Sequence, residues 1–531
     1  MKSKIILILL LAIAVVTRFF SLQNKPISLF SDEVDAGYQA TYLNQCHSDY
    51  FGNKFPFHLH SFSDYRTPFY IYSISLAQKF TNNQELSVRL PAAIFGILFC
   101  YAIYLLVKKI TQSDQTALIA VFISSLSPWL IHYSRSGFEV TGMLFFLTMG
   151  IYYLLEDKYF QSILFLIFSA YFYSTAKLFI VLTVLAALFF YYKKYFKINK
   201  KIIYGLIVFA FLISLPYLKD TIQGKSGFRF SYINIFSDPT TSTQIDYKRF
   251  EDATTSNPGQ IGLKTSLLSK LFHNKIVEIS NKFINNYLSS FSTTFLFLKG
   301  DDNPRHTPGT NLLFPFDFFL IVIGIIYFRK NKYFPFIITL FLLSPVSFAL
   351  TRDSNSPHAT RLILMLPFLV TFSAIAINYL NKYLKIIIFA LYFIFSLNFF
   401  HQYFVHYPQS SARYWHYGIK EILDLSLPEE SNYSKISYSN KYESFLPFFL
   451  YYRNYIPNDC NTANHIKDSI LDNKYYFGSI DFNNPTGLLI MTLSEYKENQ
   501  LKLNNYTIYL TTNKKYTESE QFVILKPNEN K

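Results

Sequence analysis

Four short segments, far apart in a chain of 531 residues, carry side chains that can move a proton or hold an anion. The first, Ser31 to Tyr38, places three carboxylates (Asp32, Glu33 and Asp35) within four residues. Such a group can supply a general base for a hydroxyl, or a cation site. It can equally be a helix start, with Ser31 or Asp32 capping and the acids favouring the dipole. The second, Ser63 to Pro68, puts Arg66 just before an amphipathic helix, where it can grip a phosphate bidentately or lie at the headgroup level. In the third, His132 and Arg135 precede Glu139 at a tight turn. Four residues separate Arg135 from Glu139, which suits a structural ion pair or a functional carboxylate held by an arginine. The fourth joins Asp301, Asp302, Arg305 and His306 with Arg352, Asp353, His358 and Arg361. Two Arg-His groups make an anion cradle or a headgroup anchor, and His358 and Arg361 share one helix face. These histidines lack the HxxxH or cysteine spacing of a zinc site, and none is assigned to them.

The elements that must position these groups are membrane helices. Hydrophobic residues make up 51% of the chain and aromatics 19%, against only 16% charged. The apolar residues lie in blocks of roughly 16–22, the length a bilayer core demands. Spans are predicted near residues 5–21, 88–107, 115–133, 139–155, 160–175, 177–192, 202–218, 312–328, 333–350, 360–379 and 385–403, about eleven in all. The net charge of +15 comes from Lys and Arg at block ends, which excludes a nucleic-acid stripe and points to membrane lipids as the contact. Lys2 and Lys4, Lys108 and Lys109, Glu156 to Lys158, Lys193 to Lys201, Arg329 to Lys332, and Asn381 with Lys382 fall alternately on one side. Positive-inside charge makes that side cytoplasmic, so the N-terminus is expected inside and the C-terminal part outside. All four polar segments then meet at the outer face.

Three polar pieces remain, all expected outside: residues 22–87, 219–311 (with a helix near 265–288) and 404–531. In the last, helices near 414–425 and 444–455 alternate with strands at 474–478, 488–492, 506–510 and 521–525, suggesting a small α/β domain. Domain boundaries are therefore set at 1–403 for the transmembrane part and 404–531 for the external α/β domain. The basic, apolar start lacks a small-x-small cleavage site, so it is expected to be an uncleaved first span. Cys46, Cys100 and Cys460 show no CxxC or zinc spacing, and no disulfide framework is expected. No Gly-rich phosphate loop is present.

The order of motifs resembles a known class. After the acidic pair come Ser87-Val88-Arg89-Leu90-Pro91, Ser127-Pro128-Trp129 with Tyr133-Ser134-Arg135, and Pro357-His358-Ala359-Thr360-Arg361 with Leu366-Pro367. This resembles the polyprenyl-phosphate-sugar-dependent glycosyltransferases of the GT-C class, in particular the bacterial branch of family 39 that holds protein mannosyltransferase, aminoarabinose-transferase and rhizobial galacturonosyltransferase-like domains. The likeness covers roughly residues 1–400 and is strongest over 28–180. It implies a GT-C-like fold with a C-terminal external α/β domain. It also implies inverting-type transfer of a sugar from a polyprenyl-phosphate-linked donor to a protein, glycan or lipid acceptor. By the same resemblance Asp32 would be the general base, Glu33 its support, and Glu139 the second acidic residue, with Glu where the family usually has Asp. Arg66 would meet the lipid phosphate, with Arg135, Arg305, His306, His358 and Arg361 as further phosphate or sugar contacts. Arginine and histidine can serve a monophosphate leaving group without a metal, so no cofactor is required. A divalent ion on Asp32, Asp35 and Glu139 stays open. A transporter or flippase of a lipid-linked sugar, or a non-catalytic cell-envelope assembly protein, are the alternatives. The charges at membrane edges and the absence of an inverted repeat count against the transporter.

Overall fold

The computed structural model describes residues 2–62, 64–195, 198–225, 227–256, 265–352 and 356–528. Ser63, Asp353 and part of the Lys193–Lys201 turn lie outside the described residues. Every span expected from hydropathy falls on a helix or a broken helix pair. The leading ones are α1 (Lys2–Phe19), α2 (Ser31–Cys46), α3 (Pro68–Gln78), α4 (Gln84–Thr111), α5 (Asp114–Leu126), α6 (Pro128–Arg135), α7 (Val140–Leu155), α8 (Tyr159–Phe172), α9 (Ala176–Tyr195), α10 (Lys200–Ile222) and α11 (Phe228–Ile233). Of these, α2, α3 and α11 belong to the polar connections. Among the described residues five helices are long and apolar enough to cross a membrane, or six if the bent pair α5–α6 is one span. Four further apolar helices have 10–17 residues, which falls short of the ~20 that a straight crossing needs. None of the most apolar window of α10 is buried within the protein, as suits a helix facing lipid.

Local chemistry sets the helix limits. Asn83 caps α4, its side chain accepting from Leu86 N at 2.7 Å, and Lys108 and Lys109 sit in the last turn where the dipole favours cations. From Arg89 to Lys108 the helix rises about 28 Å, close to a bilayer core. The predicted single span at 115–133 is instead bent by 56°, because Ser127 and Pro128 start a new helix there. At the Lys108 end the charged turns meet one another. Lys109 pairs with Glu156 at 2.7 Å, Lys194 pairs with Asp157, and Asn331 donates to the Ile110 carbonyl at 2.8 Å.

The opposite end carries the polar connections. Residues 22–87 hold α2, a hairpin of β1 (Leu59–His60) and β2 (Tyr65–Arg66), and α3. In 219–311 the expected helix is two, Leu267–Phe272 and Lys275–Ser289, and a further polar helix, Thr240–Ser256, accompanies them. The C-terminal part forms a seven-stranded mixed sheet from β3 (Ile436–Ser439), β4 (Ile466–Lys467), β5 (Ile470–Leu471), β6 (Tyr475–Gly478), β7 (Leu488–Thr492), β8 (Tyr506–Thr511) and β9 (Phe522–Pro527), in the order β4-β5-β6-β3-β7-β9-β8. The four strands expected from sequence are all present, and the parallel centre β6-β3-β7 is organised by β3, which was not foreseen.

This sheet is tied to the first connection. Tyr38 Oη donates to the Tyr455 carbonyl at 2.8 Å, Gln84 and Tyr451 exchange hydrogen bonds, and buried residues of both parts belong to one continuous core. A disulfide joins Cys46 to Cys460, which corrects the expectation that no disulfide forms. The two cysteines are 414 residues apart, so no local spacing could announce the pair. Cys100 alone is free, and buried.

Candidate active site

Helix α2 presents the acidic cluster. Its N-cap is Phe30, not Ser31 or Asp32, which places Asp32 and Glu33 in the first turn where they favour the dipole. The two adjacent carboxylates have opposite surroundings. Glu33 is fully buried and paired with the equally buried Arg89, Nε to Oε1 at 3.1 Å. It also accepts from Gly137 N at 2.6 Å and Phe30 N at 3.2 Å. Arg89 in turn donates to the Pro26 carbonyl at 2.7 Å. A Cβ on Gly137 would lie 2.8 Å from Glu33 Cγ, so only glycine lets that backbone reach the carboxylate. Glu33 thus locks α2 to α4 and to the turn before α7.

Asp32 leaves 51% of its side chain open and meets Arg66 Nη2 at 2.8 Å. Arg66 is mostly covered, and its Nε pairs with Asp35. Asp35 is held by Tyr50 Oη at 2.7 Å and Ser61 Oγ at 3.1 Å. One guanidinium therefore bridges an anchored carboxylate and an open one. Burial pushes the Asp32 carboxyl up, but Arg66, then Arg229 and Arg305, more than reverse this and hold it below the ordinary carboxylate range. Glu139, at the N-cap of α7, faces the same guanidinium.

Arg305 lies 5.1 Å over the Phe30 ring, and its carbonyl accepts from His132 Nε2 at 2.7 Å. His306 donates from Nδ1 to Asp301 at 2.9 Å, and its ring is 4.3 Å from that of His358. Arg361 is buried and donates to Thr351 Oγ1 at 3.0 Å. The fold thus draws Asp32, Arg66, Glu139, Arg305, His306, His358 and Arg361 toward one region. Arg229, at the start of α11 and 3.8 Å from Asp64, joins them without a sequence signal, since it sits in an unremarkable polar loop.

Arg135 goes elsewhere. It is fully buried and donates to the carbonyls of Thr17 (3.1 Å), Arg18 (3.0 Å), Phe20 (2.8 Å) and Lys25 (3.3 Å), closing the C-terminal end of α1. Among the described residues it makes no ion pair with Glu139, because four carbonyls in an apolar setting claim its guanidinium.

Residues 65–219 match the family described as dolichyl-phosphate-mannose-protein mannosyltransferase. No curated protein matches the chain in sequence. Among solved structures, ArnT from Cupriavidus metallidurans bound to undecaprenyl phosphate is similar with a TM-score of 0.56 at 10% identity, over 97% of this chain and 97% of that one. The oligosaccharyltransferase AglB from Archaeoglobus fulgidus, in complex with an inhibitory peptide and a dolichol-phosphate, gives a TM-score of 0.48 at 12% identity, over 96% of this chain and 73% of that one. The domain match and the likeness to ArnT show the GT-C membrane fold that the sequence led one to expect.

Proposed function

We propose that this chain transfers a sugar from a polyprenyl-phosphate-linked donor to an acceptor hydroxyl at the outer face of the membrane, with inversion at the anomeric carbon. The observation that carries this reading is the open carboxylate of Asp32 paired with Arg66, inside a ring of cations contributed by distant segments. Asp32 takes the proton from the acceptor hydroxyl while the acceptor oxygen forms its bond to the anomeric carbon. On the opposite side the carbon–oxygen bond to phosphate breaks, and polyprenyl phosphate departs with the electron pair and an added negative charge. Arg66, Arg229 and Arg305 stand where that charge develops. Asp35 keeps hold of Arg66 through Nε, so a phosphate can compete for the Nη side that Asp32 otherwise occupies. Losing that partner makes Asp32 a stronger base as the donor settles.

Glu33 holds α2 in place, and Glu139 adds a second carboxyl beside Arg66. Two features support the outer-face placement. The Lys-rich turns collect at the far end of the helix bundle, as a cytoplasmic end requires. The Cys46–Cys460 bridge lies at the site's end, and disulfides persist in oxidising compartments. Purified protein in liposomes, given a radiolabelled undecaprenyl-phosphate sugar and a panel of protein, glycan and lipid acceptors, should release undecaprenyl phosphate in step with labelled product. Movement of intact donor between leaflets without cleavage would instead favour a flippase.

A further inference from the structure

Asp301, His306 and His358 each offer a ligand atom, and these atoms all lie within 4.8 Å of one another. The segments come from opposite sides of the helices at 317–349, so the cluster exists only in the fold. Its carboxylate is aimed by backbone. Asp301 Oδ2 accepts from Ala359 N at 2.8 Å, and Oδ1 accepts from Asn303 N at 2.8 Å. The loop carrying it is closed by Gly300, whose φ is +80° and where a Cβ would lie 2.8 Å from the Thr310 carbonyl oxygen, leaving no room for a side chain. His358 Nδ1 is buried with no hydrogen-bond partner among the described residues. A buried imidazole nitrogen without a partner calls for a proton or an ion.

We propose that Asp301, His306 and His358 form a three-ligand site for a zinc-type divalent ion. Two imidazoles with one carboxylate suit zinc or cobalt and not magnesium or calcium, which prefer all-oxygen shells. Bonds of about 2.1 Å to a tetrahedral ion put ligand atoms about 3.4 Å apart, a spacing that small side-chain rotations reach from the separations present. The ion takes the place of the His306 Nδ1 proton, which moves to Nε2 or is released to solvent, so that Nδ1 and the Asp301 carboxylate each give one lone pair to the metal. Three protein ligands leave a fourth position open. With Arg305 and Arg361 alongside, the open position takes an anion, and on the function proposed above that anion is a phosphate oxygen of the departing lipid. This last assignment rests on that function; the metal site itself does not.

The test uses full-length protein without a polyhistidine tag, stripped by chelator in nanodiscs and titrated with zinc and with cobalt. The expected result is one equivalent per chain, with visible cobalt bands of a tetrahedral N/O site. H306Q/H358Q should weaken binding by at least ~100-fold, while D32N binds as the parent does. Absence of stoichiometric metal in the parent protein, or unchanged binding in a folded H306Q/H358Q, would overturn the site. The single variant H358N, checked by its melt, covers the case in which the double variant does not fold. Undecaprenyl phosphate should bind at least several-fold tighter to the zinc-loaded than to the stripped protein, and equal binding overturns the open-position assignment. Zinc bound without any sugar transfer would sink the functional reading and leave the site standing. Transfer by a protein that binds no zinc would do the reverse.

Discussion

Asp32 and Glu33 are neighbours in sequence with the same chemistry, and the structure separates what their removal should do. Asp32→Asn keeps the shape and one hydrogen bond to Arg66 but abolishes proton acceptance. The Asp32 side chain is half open, so the pair behaves as an exposed one and its loss should cost at most about 1 kcal/mol of stability. Transfer should nevertheless fall by about 10²–10⁴-fold, or about 3–5 kcal/mol of transition-state stabilisation. Glu33→Gln should do the opposite. It strands the Arg89 guanidinium, which is fully buried, and should destabilise the fold by about 3–5 kcal/mol. Any loss of transfer would then track the loss of folded protein. The assay is single-turnover transfer in liposomes with saturating donor, run beside a thermal melt of each variant. The pH profile adds a second axis. A carboxylate held below its ordinary range is ionised throughout neutral pH, and its paired form is present above the unfolded pKa and lost only as pH falls through the lower folded one. Transfer at limiting donor, which reports the free enzyme, should therefore be flat through the neutral range and drop only in acid, with the drop moving to higher pH at saturating donor. Near-parent transfer by Asp32→Asn, or a melt as damaged as that of Glu33→Gln, would refute the assignment of the base.

Arg66→Ala should weaken binding of undecaprenyl phosphate by about 2–4 kcal/mol, measured by calorimetry in nanodiscs, and unchanged affinity would remove Arg66 from the phosphate contact. Replacing Cys460 by Ser should leave a free thiol at Cys46 and lower stability by about 2–4 kcal/mol, seen as a changed mobility on non-reducing gels and an earlier melt. In intact cells a cysteine placed at Lys502 should react with an impermeant maleimide, and one at Lys330 should react only after the membrane is opened. The reverse pattern would invert the topology.

Much of this was legible in the sequence because it depends on local composition. Hydropathy located the helices, charge located their ends, and Asp32 and Arg66 each stood out singly at a helix start, although their pairing shows only in the fold. What stayed hidden depends on partners far away. Arg135 reads in sequence as the ion-pair partner of Glu139, yet the four carbonyls that claim it belong to the end of α1 and the turn after it, more than a hundred residues earlier. Ile436–Ser439 is too short and mixed to advertise a strand, and becomes the centre of a sheet only because β6 and β7 flank it. Thr240–Ser256 lacks an apolar stripe, so no periodicity marks it. The histidines were dismissed as zinc ligands on spacing alone, a test that cannot see His306 and His358 brought together across two helices.

The bridge between Cys46 and Cys460 also sets a clock. Its two halves are made 414 residues of translation apart. At roughly 5–20 residues per second, the Cys46 thiol must wait about 20–80 s before its partner is synthesised. During that interval its thiol has no Cys460 to pair with. Closure of the bridge therefore trails the synthesis of Cys46 by at least that interval, and a pulse-chase following its appearance would report when the first connection and the C-terminal sheet have come together.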